Sequence, residues 1–241
     1  MNARMPARSV VLSVLLGTRP ACATAAELLR LTADFDIKDS TLRVALTRMV
    51  AAGDLVRCEE GYRLSDRLLA RQRRQDAALS PVTRDWGSQW LTVVVTAVGE
   101  DARVRAALRS ALHDGRFGEL REGVWLRPDN LVEDLPAETD GRVRVLRARD
   151  PDPGELAARL WDLPTWSQIG VGLLREMDAA ADIPSRFVVA AAMVRHLLTD
   201  PVLPAELLPA DWPADRLRAA YAEFAALMVA RRDPARLLEP R

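Results

Sequence analysis

The stretch Ile37-Lys38-Asp39-Ser40-Thr41-Leu42-Arg43-Val44-Ala45-Leu46-Thr47-Arg48-Met49-Val50-Ala51-Ala52-Gly53 constrains this chain more than any other. Leu42, Ala45, Leu46, Met49 and Val50 recur at helical spacing and give one apolar face. Asp39 and Ser40 each offer an oxygen to the unpaired N–H groups of a first helical turn. Gly53 follows the last periodic residue, where a left-handed cap costs least. The pattern predicts a helix of about three turns with both ends marked. Its other face carries Ser40, Thr41, Arg43, Val44, Thr47 and Arg48, with no carboxylate after Asp39. A DNA major groove can use that mixture: guanidinium forks match guanine O6 and N7, while Thr and Val reach phosphates or thymine methyls. On these residues alone, an ordinary amphipathic surface helix is the plain alternative.

The neighbouring segments favour DNA. Pro6 to Leu16 reads as a first helix with Val10, Val11, Val14 and Leu15 as its apolar stripe. Thr24-Ala25-Ala26-Glu27 is a capping box opening a second helix, whose buried face is Leu28, Leu29 and Leu31. After Gly53, the runs Leu55 to Cys58 and Tyr62 to Leu64 are joined by Glu59-Glu60-Gly61, a hairpin signal. Three helices followed by a hairpin is the order of a winged helix-turn-helix, whose third helix enters the groove. Arg57 and Arg63 on the hairpin strands are placed to meet phosphates, and Lys38 precedes the third helix. The two glutamates at the tip argue against the tip itself lying on the DNA backbone.

Charge distribution agrees. The formal net charge is zero, yet residues 1–80 hold 13 Lys and Arg against 9 Asp and Glu, and the rest holds 21 against 25. A modestly basic head on an acidic body suits a DNA-binding module attached to something that does not touch DNA. Lys38 is the one lysine among 34 basic residues, a bias that points to a GC-rich coding genome rather than to function. Cys22 and Cys58 lack CxxC spacing and have only His113 and His196 to join them. Neither a zinc site nor a disulfide framework is expected, and both read as reduced, core-filling residues. No signal peptide and no run approaching about 20 apolar residues is found, so the expectation is a cytoplasmic protein.

Ser65 to Leu79 predicts an Arg-rich connecting helix capped by Ser65, and Ser80-Pro81 marks a first boundary. Beyond it, Trp90 to Val98 is a β-branched strand, Glu100 to His113 a helix, and Gly115 to Gly118 a turn. Gly123 to Leu126 and Arg142 to Leu146 are further strands, and Gly154 to Trp161 a helix. The order β-α-β-β-α, one strand short, is the ferredoxin-like arrangement, which hosts many functions and decides none. The first strand carries no carboxylate for a metal-dependent nuclease, and GxSxG, GxxxxGK[ST] and HExxH are absent. Arg142 and Arg144 put two guanidiniums on one strand face, fit for a phosphate-bearing ligand or for a solvated edge. The C-terminal third reads as helices over Ile169 to Ala181, Ser185 to Leu198 (capped by Ser185) and Asp215 to Arg231. Between the last two lies a proline-rich run, residues 200–213, laid along a surface. The fold class expected is α+β in three parts: residues 1–80, 81–150 and 151–241.

Three stretches then resemble one family. They are Thr41 to Val50 with Tyr62-Arg63-Leu64; Gly115-Arg116-Phe117-Gly118 running on to Gly123-Val124-Trp125-Leu126-Arg127-Pro128; and Asp200-Pro201-Val202-Leu203-Pro204 running on to Leu207-Leu208-Pro209-Ala210-Asp211-Trp212-Pro213. In content and order they are similar to the PaaX-type bacterial transcriptional regulators, whose founding member represses phenylacetate catabolism genes. The resemblance implies a winged-helix head, a central Cas2-like ferredoxin domain and a helical C-terminal domain, working as a homodimer. It also implies an acyl-CoA effector, phenylacetyl-CoA in the founding case, that releases the operator. Trp125, Arg142 and Arg144 are the residues expected to meet that effector. The chain departs from the family's pattern at Gly170 and Thr199, where Tyr and Arg are frequent.

The function expected is therefore a ligand-responsive repressor that binds double-stranded operator DNA, with no enzymatic activity, cofactor, metal or membrane contact. Lys38, Ser40, Thr41, Arg43, Val44, Thr47, Arg48, Arg57 and Arg63 form its expected DNA face. Two other classes stay open: an acyl-CoA enzyme carrying a winged-helix domain, and a winged-helix module that binds another protein.

Overall fold

The computed structural model describes residues 5–19, 21–132 and 135–232, in two compact units. One holds the described residues through Asp76 with Leu173–Val194 and those from Arg216 on; the other holds Ala77–Gly172 and Arg195–Asp215.

The first unit opens with α1 (Ala7–Gly17), β1 (Cys22–Ala23) and α2 (Ala25–Thr32). The capping box is present: Thr24 Oγ1 accepts from the Glu27 N–H at 3.1 Å, and Glu27 accepts from the Thr24 N–H at 2.7 Å. A short 3-10 turn, Ala33–Phe35, ends in a left-handed Asp36 and redirects the chain into α3 (Asp39–Ala51). β2 (Leu55–Cys58) and β3 (Gly61–Leu64) form the hairpin, and the antiparallel sheet runs β1-β3-β2. Val10, Val11, Val14, Leu28, Leu31, Leu42, Leu46, Met49, Leu55 and Leu64 are buried. They are the apolar stripes of three helices and one sheet face, the components of a single small core.

Gly53 caps α3 as its position predicts. It is left-handed (φ 69°), its N–H reaches Val50 O at 3.0 Å, and the Asp54 N–H reaches Met49 O at 2.9 Å. That pair of bonds is a Schellman cap. The start of α3 differs from the expectation: Lys38 occupies the N-cap with no side-chain bond, and neither Asp39 nor Ser40 caps. Asp39 already lies inside the helix, and its carboxylate accepts from Arg43 Nε at 2.9 Å one turn on.

α4 (Asp66–Leu79) begins just after Ser65, whose carbonyl accepts from Leu68 and Leu69 while its hydroxyl makes no hydrogen bond. The cap expected of Ser65 is thus a backbone one. Gln72 points inward and its amide donates to the carbonyls of Leu15 and Leu16, both at 3.0 Å. α1 ends at Gly17 with an extended Thr18 as its C-cap and no left-handed residue to turn N–H groups back, so those carbonyls have no intrahelical partner and the buried amide supplies one. Later in the chain, α8 (Ile183–Leu197) sets Phe187 edge-on to Phe35, centroids 4.9 Å apart. α9 (Ala214–Arg232) sets Phe224 beside Phe187. Asp182, not Ser185, caps α8, accepting from the Ser185 N–H at 2.7 Å.

The second unit is built on β4 (Trp90–Val95), β5 (Gly118–Arg121), β6 (Val124–Pro128) and β7 (Val143–Ala148), antiparallel in the order β5-β6-β4-β7. α5 (Ala102–Asp114) joins β4 to β5, with β6 between them: the split βαβ. The order observed is β-α-β-β-β-α, one strand more than expected. The extra strand, Gly-Glu-Leu-Arg, has no β-branched residue to signal it and sits at the sheet edge.

Strand alternation gives this sheet two cores. Leu91, Val93 and Trp125 face α5, with Leu108, Leu112 and Phe117. Trp90 and Leu126 face the other way, against Leu156 and Ala157 of α6 (Pro153–Leu160), Leu163 of α7 (Leu163–Ala179), and Leu203 and Leu207 of the proline-rich run. That run is also tied by polar bonds: Asn130 Nδ2 donates to Val202 O at 2.9 Å, and Arg116 donates to Asp200 O. Val202 is held at φ 51°, a conformation its branched side chain disfavours, with its N–H on the Asp200 carboxylate.

Gly61 has φ 134°, and a Cβ there would lie 2.5 Å from Ala23 O of β1. Gly61→Ala should therefore lose about 1–3 kcal/mol of stability or displace β1 from the hairpin. A melting temperature equal to the parent's would show that β1 tolerates the side chain.

Candidate nucleic-acid interface

α3 presents Lys38, Ser40, Thr41, Arg43, Val44, Thr47 and Arg48 together, all exposed, while Leu42, Leu46 and Met49 are buried beneath them. Val44, a large apolar residue, is half exposed, which places a methyl surface between the two arginines. Arg43 is steadied by its Asp39 ion pair. The Thr47 hydroxyl donates back to Arg43 O at 3.0 Å, leaving its methyl outward.

A groove of about 590 Å³ separates α1 from α3, lined by Ala7 and Arg8 on one side and by Ser40, Thr41, Val44 and Arg48 on the other. A second hollow shares Ala7 and Thr41 with it and takes in Lys38. Arg8 was not among the residues expected here. No local pattern marks it, because its position is set by Asp54, 46 residues on.

Asp54 is 2 % exposed, and its carboxylate accepts from Arg8 Nε at 2.9 Å and from Arg67 at 2.8 Å. Its N–H completes the α3 cap and its carbonyl accepts from the Ser65 N–H at 3.0 Å. One turn residue thereby fixes α1, α3, β2 and α4 to one another. A buried carboxylate is tolerable only with such partners.

The hairpin arginines do not act as one pair. Arg57 stands opposite Tyr62, with its guanidinium 5.7 Å from that ring, whereas Arg63 stands opposite Val56 and Cys22. Side chains alternate along a strand, so the two leave the sheet from opposite faces. Arg57 is exposed; Arg63 is half-buried and lies 3.5 Å from Asp66.

The second unit does not bring the expected effector trio together. Trp125 is 1 % exposed, enclosed between the sheet and α5, edge-on to His113 at 4.8 Å. Its register partner is Val93, whose other partner is Val145, so Arg144 projects from the opposite sheet face. Arg142 is engaged by Glu100 at 2.8 Å. The three do not line one site, because tryptophan's size and its place on the α5 side make it core. The sequence also concealed an aromatic stack: Trp166 lies between His196 and Trp212, centroids 4.1 and 4.3 Å away. Thr199 accepts from Trp166 Nε1 at 3.1 Å, and His196 Nε2 meets Trp166 O at 2.9 Å. Burial pushes the His196 pKa below its ordinary value, against the opposing pull of the Trp166 carbonyl and the Asp200 charge.

Among the described residues no helix is long and apolar enough to cross a membrane, and no group of three His, Cys, Asp or Glu side chains could hold a metal ion.

Comparison with known proteins gives three family matches along the chain. Residues 6–68 match the PaaX-like protein model, residues 83–156 the PaaX protein central Cas2-like domain, and residues 166–235 the PaaX-like protein C-terminal domain. A solved structure, the uncharacterized protein Rv0674 from Mycobacterium tuberculosis, is 66% identical with a TM-score of 0.85. The match covers 95% of this chain and 98% of that one. No curated protein matches.

Two outcomes follow from these side chains. Arg8→Ala or Arg67→Ala alone leaves Asp54 one partner, whereas the double variant buries a bare carboxylate; denaturant unfolding should show the double loss exceeding the sum of the singles. Additive losses would mean that Asp54 is solvated. Because the folded chain resists protonating His196, the unfolded chain binds the extra proton as pH falls below about 6.5. Stability should therefore decline from about pH 7 toward pH 5, and less steeply in His196→Gln. Equal slopes for parent and variant would remove His196 from that decline.

Proposed function

Because the chain belongs to the PaaX-type family of transcriptional regulators, we propose that it is a sequence-specific DNA-binding repressor whose winged-helix head reads an operator through α3. The observation that carries this reading is the exposed face of α3, with Lys38, Ser40, Thr41, Arg43, Val44, Thr47 and Arg48 on one side of a helix whose other side is core. In a major groove, Arg43 and Arg48 offer forks to guanine, and Val44 and the Thr47 methyl meet thymine methyls. Lys38, Ser40 and Thr41, at the start of the helix, approach the phosphates. Arg57 adds a hairpin contact to the backbone, and Arg8, at the rim of the groove beside α3, adds another. Arg63, leaving the other sheet face, is the weaker contributor.

The protein acts as a homodimer, its two α3 helices about 34 Å apart on a pseudo-palindrome. An acyl-CoA thioester, phenylacetyl-CoA or a relative, releases it from the operator. Support for dimer and effector comes from the family alone. The regulator is not an enzyme on this reading.

Binding of the purified protein to the DNA upstream of its own gene, at two salt concentrations with and without phenylacetyl-CoA, tests the proposal. Selective, salt-sensitive binding that the thioester weakens is expected. Arg43→Ala should cost about 1–3 kcal/mol on the selected site and little on random DNA. Arg57→Ala should weaken both alike and lower the salt slope by about one. Absence of selective binding would overturn the reading, and equal losses for Arg43→Ala on both DNAs would remove that residue from base reading.

A further inference from the structure

The two cysteines, expected to be reduced, core-filling residues, stand together. Their Sγ atoms are 3.3 Å apart, although 36 positions separate them in sequence. Cys22 is on β1 and Cys58 on β2, with β3 between these strands. The residue of β3 paired with Cys58 is Gly61, which has no side chain to fill the space. Cys22 is paired with Arg63. Both thiols are half-exposed, on the sheet face opposite buried Leu55 and Leu64. They make a contact of sulfur with sulfur, reachable from solvent, in a chain with no third cysteine to compete.

We propose that Cys22 and Cys58 are an oxidisable dithiol that a hydroperoxide converts to an intramolecular disulfide. In the first step one thiolate attacks the peroxide: an S–O bond forms, the O–O bond breaks, and the departing oxygen leaves as alcohol or water after taking a proton. In the second, the neighbouring sulfur attacks the resulting sulfenic acid: the S–S bond forms, the S–O bond breaks, and hydroxide leaves as water with the second thiol's proton. Two electrons pass from the sulfur pair to the peroxide. A disulfide needs about 2.05 Å between sulfurs and Cα atoms within about 7 Å, so closure from 3.3 Å across β3 draws β1 and β2 toward each other. The product would staple β1, held otherwise by two register pairs, across the hairpin to β2. An exposed pair of this kind is of the reversible, responsive sort rather than a permanent brace. This chemistry does not depend on the DNA-binding reading.

The test uses the full chain, reduced, freed of reductant and titrated with hydrogen peroxide. Both thiols should disappear together, the intact mass should fall by two hydrogens, and a digest should contain the Cys22 peptide joined to the Cys58 peptide. The protein should stay monomeric on a non-reducing gel, and dithiothreitol should restore both thiols. In Cys22→Ser and in Cys58→Ser the remaining cysteine should instead accumulate a sulfenic acid that dimedone traps. Three results would overturn the proposal: thiols that survive a molar excess of peroxide, thiols oxidised independently without the joined peptide, or a product linked between chains. The parent measurement decides the matter even if a serine variant fails to fold.

Discussion

A single buried carboxylate governs how the first unit holds its exposed helix. Asp54 sits in the turn after α3, and burial would make its charge intolerable without the guanidiniums of Arg8 and Arg67. Those two arginines are themselves well exposed on their solvent sides, so their desolvation is slight. The first turn of α1 and the first turn of α4 are thus drawn to one atom group. α3, whose cap includes the Asp54 N–H, is held between them. Apolar stripes decide that three helices pack, but they are nearly indifferent to small slides; a charge with directional bonds is not. The face that α3 turns outward inherits its orientation from this arrangement.

In the second unit the organising constraint is alternation along strands. Two tryptophans on opposite faces, Trp90 toward α6 and Trp125 toward α5, come from strands paired side by side. Two cores on one sheet demand covering on both sides. α5 supplies one cover; α6 with the proline-rich run supplies the other. Prolines free that run from any ladder, while Arg116 and Asn130 satisfy the carbonyls that would otherwise be buried bare.

What the sequence made legible was local and periodic. The spacing of Leu42, Leu46 and Met49, the capping box at Thr24 and Glu27, and the glycine after α3 each act within a turn or two. They read correctly because nothing distant competes with them. The misreadings share the opposite cause. Ser185 looked like a cap until Asp182, three residues earlier, is seen holding the same N–H. β5 exists because β6 pairs with it, not because Gly-Glu-Leu-Arg favours a strand. Arg8 gains its place from a turn 46 residues away. Trp125 reads equally well as a ligand platform and as core, and only its register with Val93 separates the two. The cysteine pair is invisible for the same reason: strand order, not spacing, brings the sulfurs together.

Gln72 has a mechanical meaning beyond its hydrogen bonds. Consecutive residues of a helix are turned by about 100° from one another, at 3.6 residues per turn. Its amide meets the carbonyls of Leu15 and Leu16, so α4 can occupy one rotational phase against the end of α1. A slip of one residue would swing the amide away from those carbonyls and bring Arg71 or Arg73 to its place. α4 therefore behaves as a keyed shaft, whose rotation about its own axis is set by Gln72 together with the bond from Arg67 to Asp54.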